Sequence, residues 1–366
     1  MATSQYKNSY DFLQNDLKNR ILLLDGAMGT MIQKQNLTAD DFGGEKYEGC
    51  NDYLVLTKPE IIKNIHKEYL KSGSDIIETN SFGALDIVLK DYDLEDRAFE
   101  MSKRAAELVN EAILEYRSEN PDDTRHLYVA GALGPSNKSI SVTGGVTFDE
   151  LVHTYYTAVS GLLAGGVDLI LFETIQDTRN LKAAYLGLKK AMEENYTVPL
   201  MLSFTIESTG TTLAGQTADA FYYAVNHMHP FSVGLNCATG PEFMTQFLKT
   251  LNDISNTYIS VYPNAGLPNE DGEYEETPVT LANKLEPFFK NKYLNIVGGC
   301  CGTTPDYIKE IKEKTVNYEP RNIDKDKNFN NLSGLISLET PKDRPIYVGE
   351  RTNVIGSRIF KNLIAQ

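Results

Sequence analysis

The segment that decides the fold is Leu294-Asn295-Ile296-Val297-Gly298-Gly299-Cys300-Cys301-Gly302-Thr303-Thr304-Pro305. Its apolar first half is typical of a short buried strand. Thr304 and Pro305 then fit the N-cap and the first position of a helix. Because neighbouring side chains of a regular strand point to opposite faces, Cys300 and Cys301 can share a ligand only at the strand end, where glycines let the backbone turn.

Three roles stay open for this cysteine pair when the segment is taken alone. The two residues are buried core thiols, a strained vicinal disulfide, or ligands of a thiolate-bound metal. The sequence of 366 residues has only four cysteines, namely Cys50, Cys237, Cys300 and Cys301. That number is too small for the disulfide framework of a secreted protein. We therefore predict a cytoplasmic protein with metal-binding or catalytic cysteines.

Charge and hydropathy exclude several classes of partner. The formal net charge of −15 disfavours a nucleic-acid partner, because such a surface repels the phosphate backbone. The first twenty residues lack the apolar region of a signal peptide, and no apolar run reaches the length of a membrane span. A hydrophobic content of 41% supports a sizeable core. We predict no contact with nucleic acid or membrane.

Seven further apolar runs precede the deciding segment, and helical patterns alternate with them. The eight runs are 21–26, 75–80, 128–135, 168–174, 199–205, 232–237, 258–266 and 294–299. Strands of this near-continuous apolar kind form parallel sheets covered by helices. Eight strand–helix units predict an α/β fold of the TIM (β/α)8 barrel type. A doubly wound open sheet is the alternative, but 25–30 lacks its glycine-rich fingerprint.

The composition changes after the last barrel helix. We predict a barrel over residues 1–317 and a linker over 318–345, because the chain becomes polar and charged there. Residues 346–353 then have the pattern of a new strand and its loop. We predict that 346–366 is the truncated start of a second barrel, and that the sequence is a piece of a longer protein.

Polar residues gather at the predicted carboxyl ends of the strands, where barrels carry their chemistry. They are Asp25, Thr79, Asn80, Glu173, Asn236, Cys237, Cys300 and Cys301. Strands six and eight are separated by one strand, so three of the four cysteines converge on one rim. Three protein ligands with an open position describe a catalytic zinc site. Cys50 lies in the loop after strand one, and we expect it to take no part.

Two carboxylates at this rim have competing interpretations. Asp25 precedes Gly26 and is consistent with a simple turn residue. Glu173 follows four apolar residues, and burying a carboxylate without a partner is costly. A bound cation at Glu173 is therefore an alternative to a helix-capping role.

Four motifs together resemble the homocysteine S-methyltransferase family. They are Leu22–Thr30, Glu78–Gly83, Gly234–Cys237 and Gly298–Gly302. The tail 349–358 resembles the start of the folate-binding barrel that follows the homocysteine module in cobalamin-dependent members. The resemblance covers nearly the whole chain.

This resemblance implies a zinc ion held by Cys237, Cys300 and Cys301, with the homocysteine sulfur as the fourth ligand. It also implies that Asn236 supplies an oxygen to zinc when substrate is absent. The amino group of homocysteine is expected at Asp25 and Glu173. The remaining substrate-binding residues by family analogy are Gly26, Ala27, Met28, Thr79 and Asn80.

The activity that the resemblance implies is zinc-dependent activation of homocysteine as a thiolate. The methyl donor is methylcobalamin on another module, and the product is methionine. The implied partners are the cobalamin- and folate-binding modules of a longer chain. Three alternatives stay open: a single-barrel homocysteine methyltransferase with another methyl donor, a metal-free aldolase- or decarboxylase-type barrel, and a non-catalytic docking barrel. The second would use Asp25 and Glu173 as acid and base.

Overall fold

The computed structural model describes residues 6–267, 274, 276–323, 331–339 and 355–365. Eight parallel strands form a single sheet in the order β1-β8-β7-β6-β5-β4-β3-β2. These strands are β1 (Leu22–Leu23), β2 (Ile76–Glu78), β3 (Tyr128–Leu133), β4 (Leu169–Ile175), β5 (Leu200–Phe204), β6 (Ser232–Asn236), β7 (Tyr258–Tyr262) and β8 (Ile296–Val297). A parallel bridge between Leu24 and Ile76 joins β1 to β2. The ring of strands confirms the predicted TIM barrel and excludes the open sheet.

Helices surround the barrel, and the first of them closes its amino-terminal end. They are α1 (Tyr6–Asn19), α2 (Met28–Gln33), α3 (Leu54–Thr57), α4 (Pro59–Ser72), α5 (Asp86–Leu89), α6 (Ala98–Glu119), α7 (Phe148–Ala164), α8 (Thr178–Glu194), α9 (Ala218–Val225), α10 (Pro241–Ile254), α11 (Pro278–Lys290), α12 (Pro305–Thr315) and α13 (Arg358–Ile364). None of the described helices combines the length and the apolar composition needed to cross a bilayer.

The core has two layers, as the alternation of side chains along the strands requires. Leu22, Leu24 and Tyr128 belong to a buried cluster inside the barrel, together with Leu13 and Leu17 of α1. A larger cluster fills the space between the strands and the outer helices. Apolar side chains therefore fill the lumen from its amino-terminal end, and the site described below lies at the carboxyl-terminal mouth.

The deciding segment folds as predicted around its glycines. Strand β8 contains only Ile296 and Val297, and α12 begins at Pro305 with Thr304 as its N-cap residue. The short loop between them therefore carries both cysteines to the carboxyl-terminal mouth. The strand predicted at 346–353 lies outside the described residues.

Residues beyond the predicted barrel limit at 317 also pack on the barrel. The hydroxyl of Tyr318 donates to Glu286 Oε1 over 2.8 Å, and the buried guanidinium of Arg321 donates to Ser255 O over 2.7 Å. Further on, β9 (Asn331–Ser333) and β10 (Ser337–Glu339) form an antiparallel hairpin. Its turn accepts a 3.0 Å bond from the amide of Thr217 at Leu335 O. The boundaries of the domains stay a prediction.

Candidate metal centre and carboxylate pocket

Three thiols meet at the mouth of the barrel. Cys237 directly follows β6, and Cys300 and Cys301 lie in the loop after β8. Their sulfur atoms all lie within 4.8 Å of one another, and Cys237 Sγ is 3.8 Å from Cys301 Sγ. Among the described residues, this is the only group of three or more His, Cys, Asp or Glu side chains close enough to share an ion. Cys50 is free and buried, and it does not belong to the group.

The backbone on the β6 side of the cluster is strained. Cys237 and Ala238 both adopt left-handed conformations, with φ of 60° and 56°. Each such conformation costs on the order of 1–3 kcal/mol in a residue other than glycine, and such strain is concentrated at functional sites. The amide of Thr239 closes the turn on Cys237 O over 2.6 Å. The turn that carries Cys237 is therefore strained in the folded protein.

Glycines on the β8 side allow a close approach of backbone and rings. Gly302 has a φ of 82°, and a Cβ atom there would lie 2.4 Å from the ring of Tyr274. A Cβ atom on Gly299 would lie 2.4 Å from the hydroxyl of Thr303. The two positions explain why glycines flank the cysteine pair on both sides.

A hydrogen-bonded link joins the thiol loop to the loop after β1. Thr303 Oγ1 donates to Cys300 O over 2.6 Å and accepts from the amide of Ala27 over 3.2 Å. The hydroxyl of Tyr69 donates to Ala27 O over 3.2 Å. Gly26, Ala27 and Met28 therefore lie against the metal-binding loop, and all three line the same cavity as the thiols.

The three thiols influence one another's pKa values. Hydrogen bonds with Cys237 and Cys300 lower the pKa of Cys301, whereas hydrogen bonds with Cys237 and Cys301 raise the pKa of Cys300. Burial raises the pKa of Cys50 to about 12, which leaves it an inert thiol. Three clustered sulfur donors suit a borderline-soft ion such as zinc.

A cavity of about 480 Å³ connects the thiols with four carboxylates, Asp25, Asp52, Glu78 and Glu173. Asp25 is 2% exposed and Glu173 is 6% exposed. Burial, and then the proximity of Glu173, raises the pKa of Asp25 well above its ordinary value. Burial raises the pKa of Glu173 to about 8, with a further contribution from Cys237. No Lys, Arg or His is among the described residues that line the cavity.

Glu173 lies at an irregularity of its strand. The register between β4 and β5 shifts between Phe172 and Ile175, and Thr174 has a φ of 53°. A left-handed conformation is a genuine outlier for a β-branched residue. Bulges of this kind redirect side chains next to active sites.

Asn236 uses its side chain to hold that irregular segment. Its Oδ1 accepts from Thr174 N over 3.0 Å and from Ser203 Oγ over 2.7 Å, and its Nδ2 donates to Thr174 Oγ1 over 2.8 Å. The residue is fully buried. A zinc contact through Oδ1 would compete with these two donors, and that role of Asn236 stays a prediction.

Thr79 and Asn80 line the cavity, but both side chains have partners within the protein. Thr79 Oγ1 lies 2.6 Å from Ser81 Oγ and accepts from Ala132 N over 3.0 Å. Asn80 Nδ2 donates to Asn51 O over 2.8 Å. These bonds position the loop after β2.

Several residues of the cavity were not predicted as site residues, and Glu78, Tyr262 and Tyr274 are among them. Glu78 is the last residue of β2, and Tyr262 is the last residue of β7. Because barrels carry their chemistry at the carboxyl ends of strands, position alone was a usable signal for these two. Tyr274 lies in the segment before α11, and no sequence signal pointed to it.

Fold and site together define a (β/α)8 barrel with a three-cysteine cluster at its carboxyl-terminal mouth. The chain belongs to the homocysteine S-methyltransferase family, whose model matches residues 22–315. This match confirms the family resemblance of the four motifs.

Solved structures of one relative have the same fold. The oxidized and metallated forms of the homocysteine methyltransferase MmuM from Escherichia coli are each 24% identical, with a TM-score of 0.69. In both cases the match covers 84% of this chain and 99% of the other. The apo form is 23% identical over 84% of this chain and 100% of the other, with a TM-score of 0.64.

Proposed function

We propose that this protein binds zinc and transfers a methyl group to homocysteine, and that it is the homocysteine module of a cobalamin-dependent methionine synthase. The observation that carries the proposal is the cluster of Cys237, Cys300 and Cys301 within one cavity with buried carboxylates. Membership of the homocysteine S-methyltransferase family supplies the substrate.

In this proposal the three cysteines are the ligands of zinc. Their sulfur atoms already lie within 4.8 Å of one another, so little rearrangement separates the thiol cluster from a ligand set. Zinc, when bound, offers an open coordination position and lowers the pKa of a substrate thiol, so that the sulfur is a nucleophile at neutral pH. The left-handed turn at Cys237 and the glycines beside Cys300 hold the three side chains in place.

The carboxylates bind the amino group of the substrate in this proposal. Asp25 and Glu173 are buried, and the cavity offers them no cationic side chain among the described residues. An ammonium group would supply the missing charge. The loop at Gly26, Ala27 and Met28 would face the substrate carboxylate, with Thr79 and Asn80 holding the opposite wall.

Methylcobalamin on a separate module is the proposed methyl donor. The support is the tail motif 349–358, which resembles the start of a folate-binding barrel. The structural match to this chain, in contrast, covers 99% of the MmuM chain. A single-barrel enzyme with another donor is therefore the competing proposal.

A two-step experiment tests the function. Metal analysis of purified protein is expected to give one zinc per chain, with a sulfur-rich zinc-edge absorption spectrum that gains one sulfur when homocysteine is added. Free methylcobalamin is then expected to methylate homocysteine, whereas sulfonium and quaternary-ammonium donors do not. Activity with one of those donors alone would favour the single-barrel enzyme. Metal-free protein would favour an aldolase- or decarboxylase-type barrel, and zinc binding without methyl transfer would favour a docking barrel.

The proposed division into domains has its own test. We expect limited proteolysis to remove the tail at bonds beyond Arg321, whose guanidinium is buried against the barrel. The remaining barrel should keep its zinc. Early cleavage inside residues 22–315 would contradict this division.

A further inference from the structure

We propose that Glu78 is a specificity-determining residue that binds the substrate ammonium together with Asp25. This inference rests on the proposed function and adds to it a residue that selects amino thiols over thiols without an amino group.

The register of the barrel places the two carboxylates side by side. Leu24 of the β1 end bridges to Ile76 of β2, so that Asp25 and Glu78 both lie at the carboxyl ends of adjacent strands. The amide of Glu78 donates to Asp25 Oδ2 over 3.1 Å. One strand end therefore fixes the orientation of the Asp25 carboxylate.

The other oxygens of this pair lack partners. Asp25 Oδ1 and Glu78 Oε1 are both buried and have no hydrogen-bond partner among the described residues. The hydroxyl of Tyr262, which lines the same cavity, is also buried without one. Buried polar atoms are nearly always satisfied, so unpaired oxygens of cavity-lining residues are acceptors that a ligand with N–H donors can use.

Asp75, which directly precedes β2, is a buried carboxylate with a structural role and serves as a comparison for Glu78. Its Oδ2 accepts from Arg20 Nη1 over 2.6 Å and from Leu23 N over 3.0 Å, and its Oδ1 accepts from Arg125 Nη1 over 3.0 Å. Asp75 is fully buried and fully paired within the protein. Glu78 has no comparable cation, because no basic side chain lines its cavity among the described residues.

An alkylammonium group suits the two unpaired carboxylate oxygens in hydrogen bonding and in charge. It has three N–H donors and one positive charge. Asp25 Oδ1 and Glu78 Oε1 are unpaired acceptors of residues that line one cavity. Burial, then the charges of Glu173 and Asp25, raises the pKa of Glu78 in the free protein. A bound cation would lower the pKa of Glu78 again, because a nearby positive charge favours the ionised carboxylate.

Glu78→Gln tests the role, because glutamine keeps the shape of the side chain and removes its charge. Calorimetric titration of the zinc-loaded protein would compare homocysteine with 4-mercaptobutanoate, which has the same chain without the amino group. We expect the preference for homocysteine to fall at least 10-fold in the variant, while 4-mercaptobutanoate binds as before and zinc content is unchanged. Glu78→Asp should give an intermediate preference, and the exposed Glu45→Gln should give the wild-type value.

Other results of these titrations would contradict the role of Glu78 or the proposed function. An equal loss of affinity for both thiols in Glu78→Gln, or no loss for either, would overturn the role of Glu78 and leave the proposed function intact. If Glu78→Gln does not fold, a wild-type preference in Glu78→Asp would likewise overturn it. Wild-type protein that holds zinc but binds neither thiol would overturn the proposed function together with this inference.

Discussion

The two sides of the cavity satisfy their polar atoms in opposite ways. On the thiol side, after β6 and β8, the three sulfurs lie within 4.8 Å of one another, and Thr303 holds the Cys300 backbone by a hydrogen bond. On the carboxylate side, after β1 and β2, Asp25 and Glu78 each have a buried oxygen with no partner in the described part of the chain. Contacts within the protein already order the thiol side, whereas the carboxylate side offers hydrogen-bond acceptors to a ligand. The first is suited to a resident ion and the second to a substrate.

Replacing one thiol should give the largest effect. Cys301→Ser is expected to reduce zinc affinity by more than about 100-fold. Mutating a residue that only hydrogen-bonds to a metal ligand already lowers metal affinity by up to about 100-fold. Homocysteine methylation should be lost in parallel, because a neutral hydroxyl is a poor ligand for this ion. Zinc content after dialysis and methyl-transfer assays measure both effects. The barrel should remain folded, and Cys50→Ser is the matched control with normal zinc. Full zinc occupancy in Cys301→Ser would refute the three-cysteine site.

Truncating a carboxylate should affect the substrate and spare the metal. Asp25→Ala and Glu173→Ala each remove a charge-assisted contact to the ammonium, which contributes about 1.5–3 kcal/mol. Homocysteine affinity should therefore fall roughly 10- to 150-fold at unchanged zinc content. Calorimetric titration of the zinc-loaded variants measures this loss. If Glu173→Ala binds homocysteine normally, the assignment of that carboxylate is wrong.

The buried carboxyl groups should also make the stability of the metal-free protein depend on pH. Burial raises the pKa of Glu173 from 4.5 to about 8, so the native state holds more protons than the unfolded state between these values. Stability should therefore decrease as the pH rises through this window. Glu173→Gln removes the contribution of this carboxyl group, and the Tm advantage of the variant over wild type should grow by several degrees from pH 5 to pH 8. A Tm difference that is constant with pH would exclude this titration.

The smallest effect is expected at Asn236, which lies between the two sides. Asn236→Ala leaves the amide of Thr174 and the hydroxyl of Ser203 without their acceptor, which costs about 1–3 kcal/mol of stability. Chemical denaturation measures that loss, and zinc content should be unchanged. If the variant instead loses a light-atom neighbour from the zinc-edge spectrum of substrate-free protein, Asn236 is a metal ligand.

The fold and the meeting of the cysteines followed from two simple regularities of the sequence. Alternating apolar runs and helices predicted a parallel barrel, and a parallel barrel brings all carboxyl strand ends to one mouth. Cys237, Cys300 and Cys301 could therefore be grouped although more than sixty positions separate the first from the others. Glycines around the cysteine pair already indicated a turn, and Gly302 has the left-handed conformation that such a turn uses.

The details that the sequence could not provide depend on contacts between distant segments. Among the described residues, no cationic side chain lines the cavity and Glu78 Oε1 has no partner, which no local sequence pattern reveals. The hydrogen bonds of Asn236 depend on the left-handed backbone of Thr174, a conformation that threonine rarely adopts. Tyr274 lies over Gly302 because two loops meet at the mouth. Arg321 likewise packs on the barrel although it lies within the polar stretch that was predicted to be a linker.

The hydroxyl of Thr303 makes the metal loop and the loop at Ala27 parts of one hydrogen-bonded unit. Under the proposed function, any ordering of one loop by its ligand lowers the entropy that the other ligand must overcome. Such a coupling is reciprocal: the factor by which zinc tightens homocysteine is also the factor by which homocysteine tightens zinc, typically about 5- to 150-fold. A protein built in this way retains its zinc best while its substrate is abundant, and it releases the metal most readily when the supply of homocysteine falls.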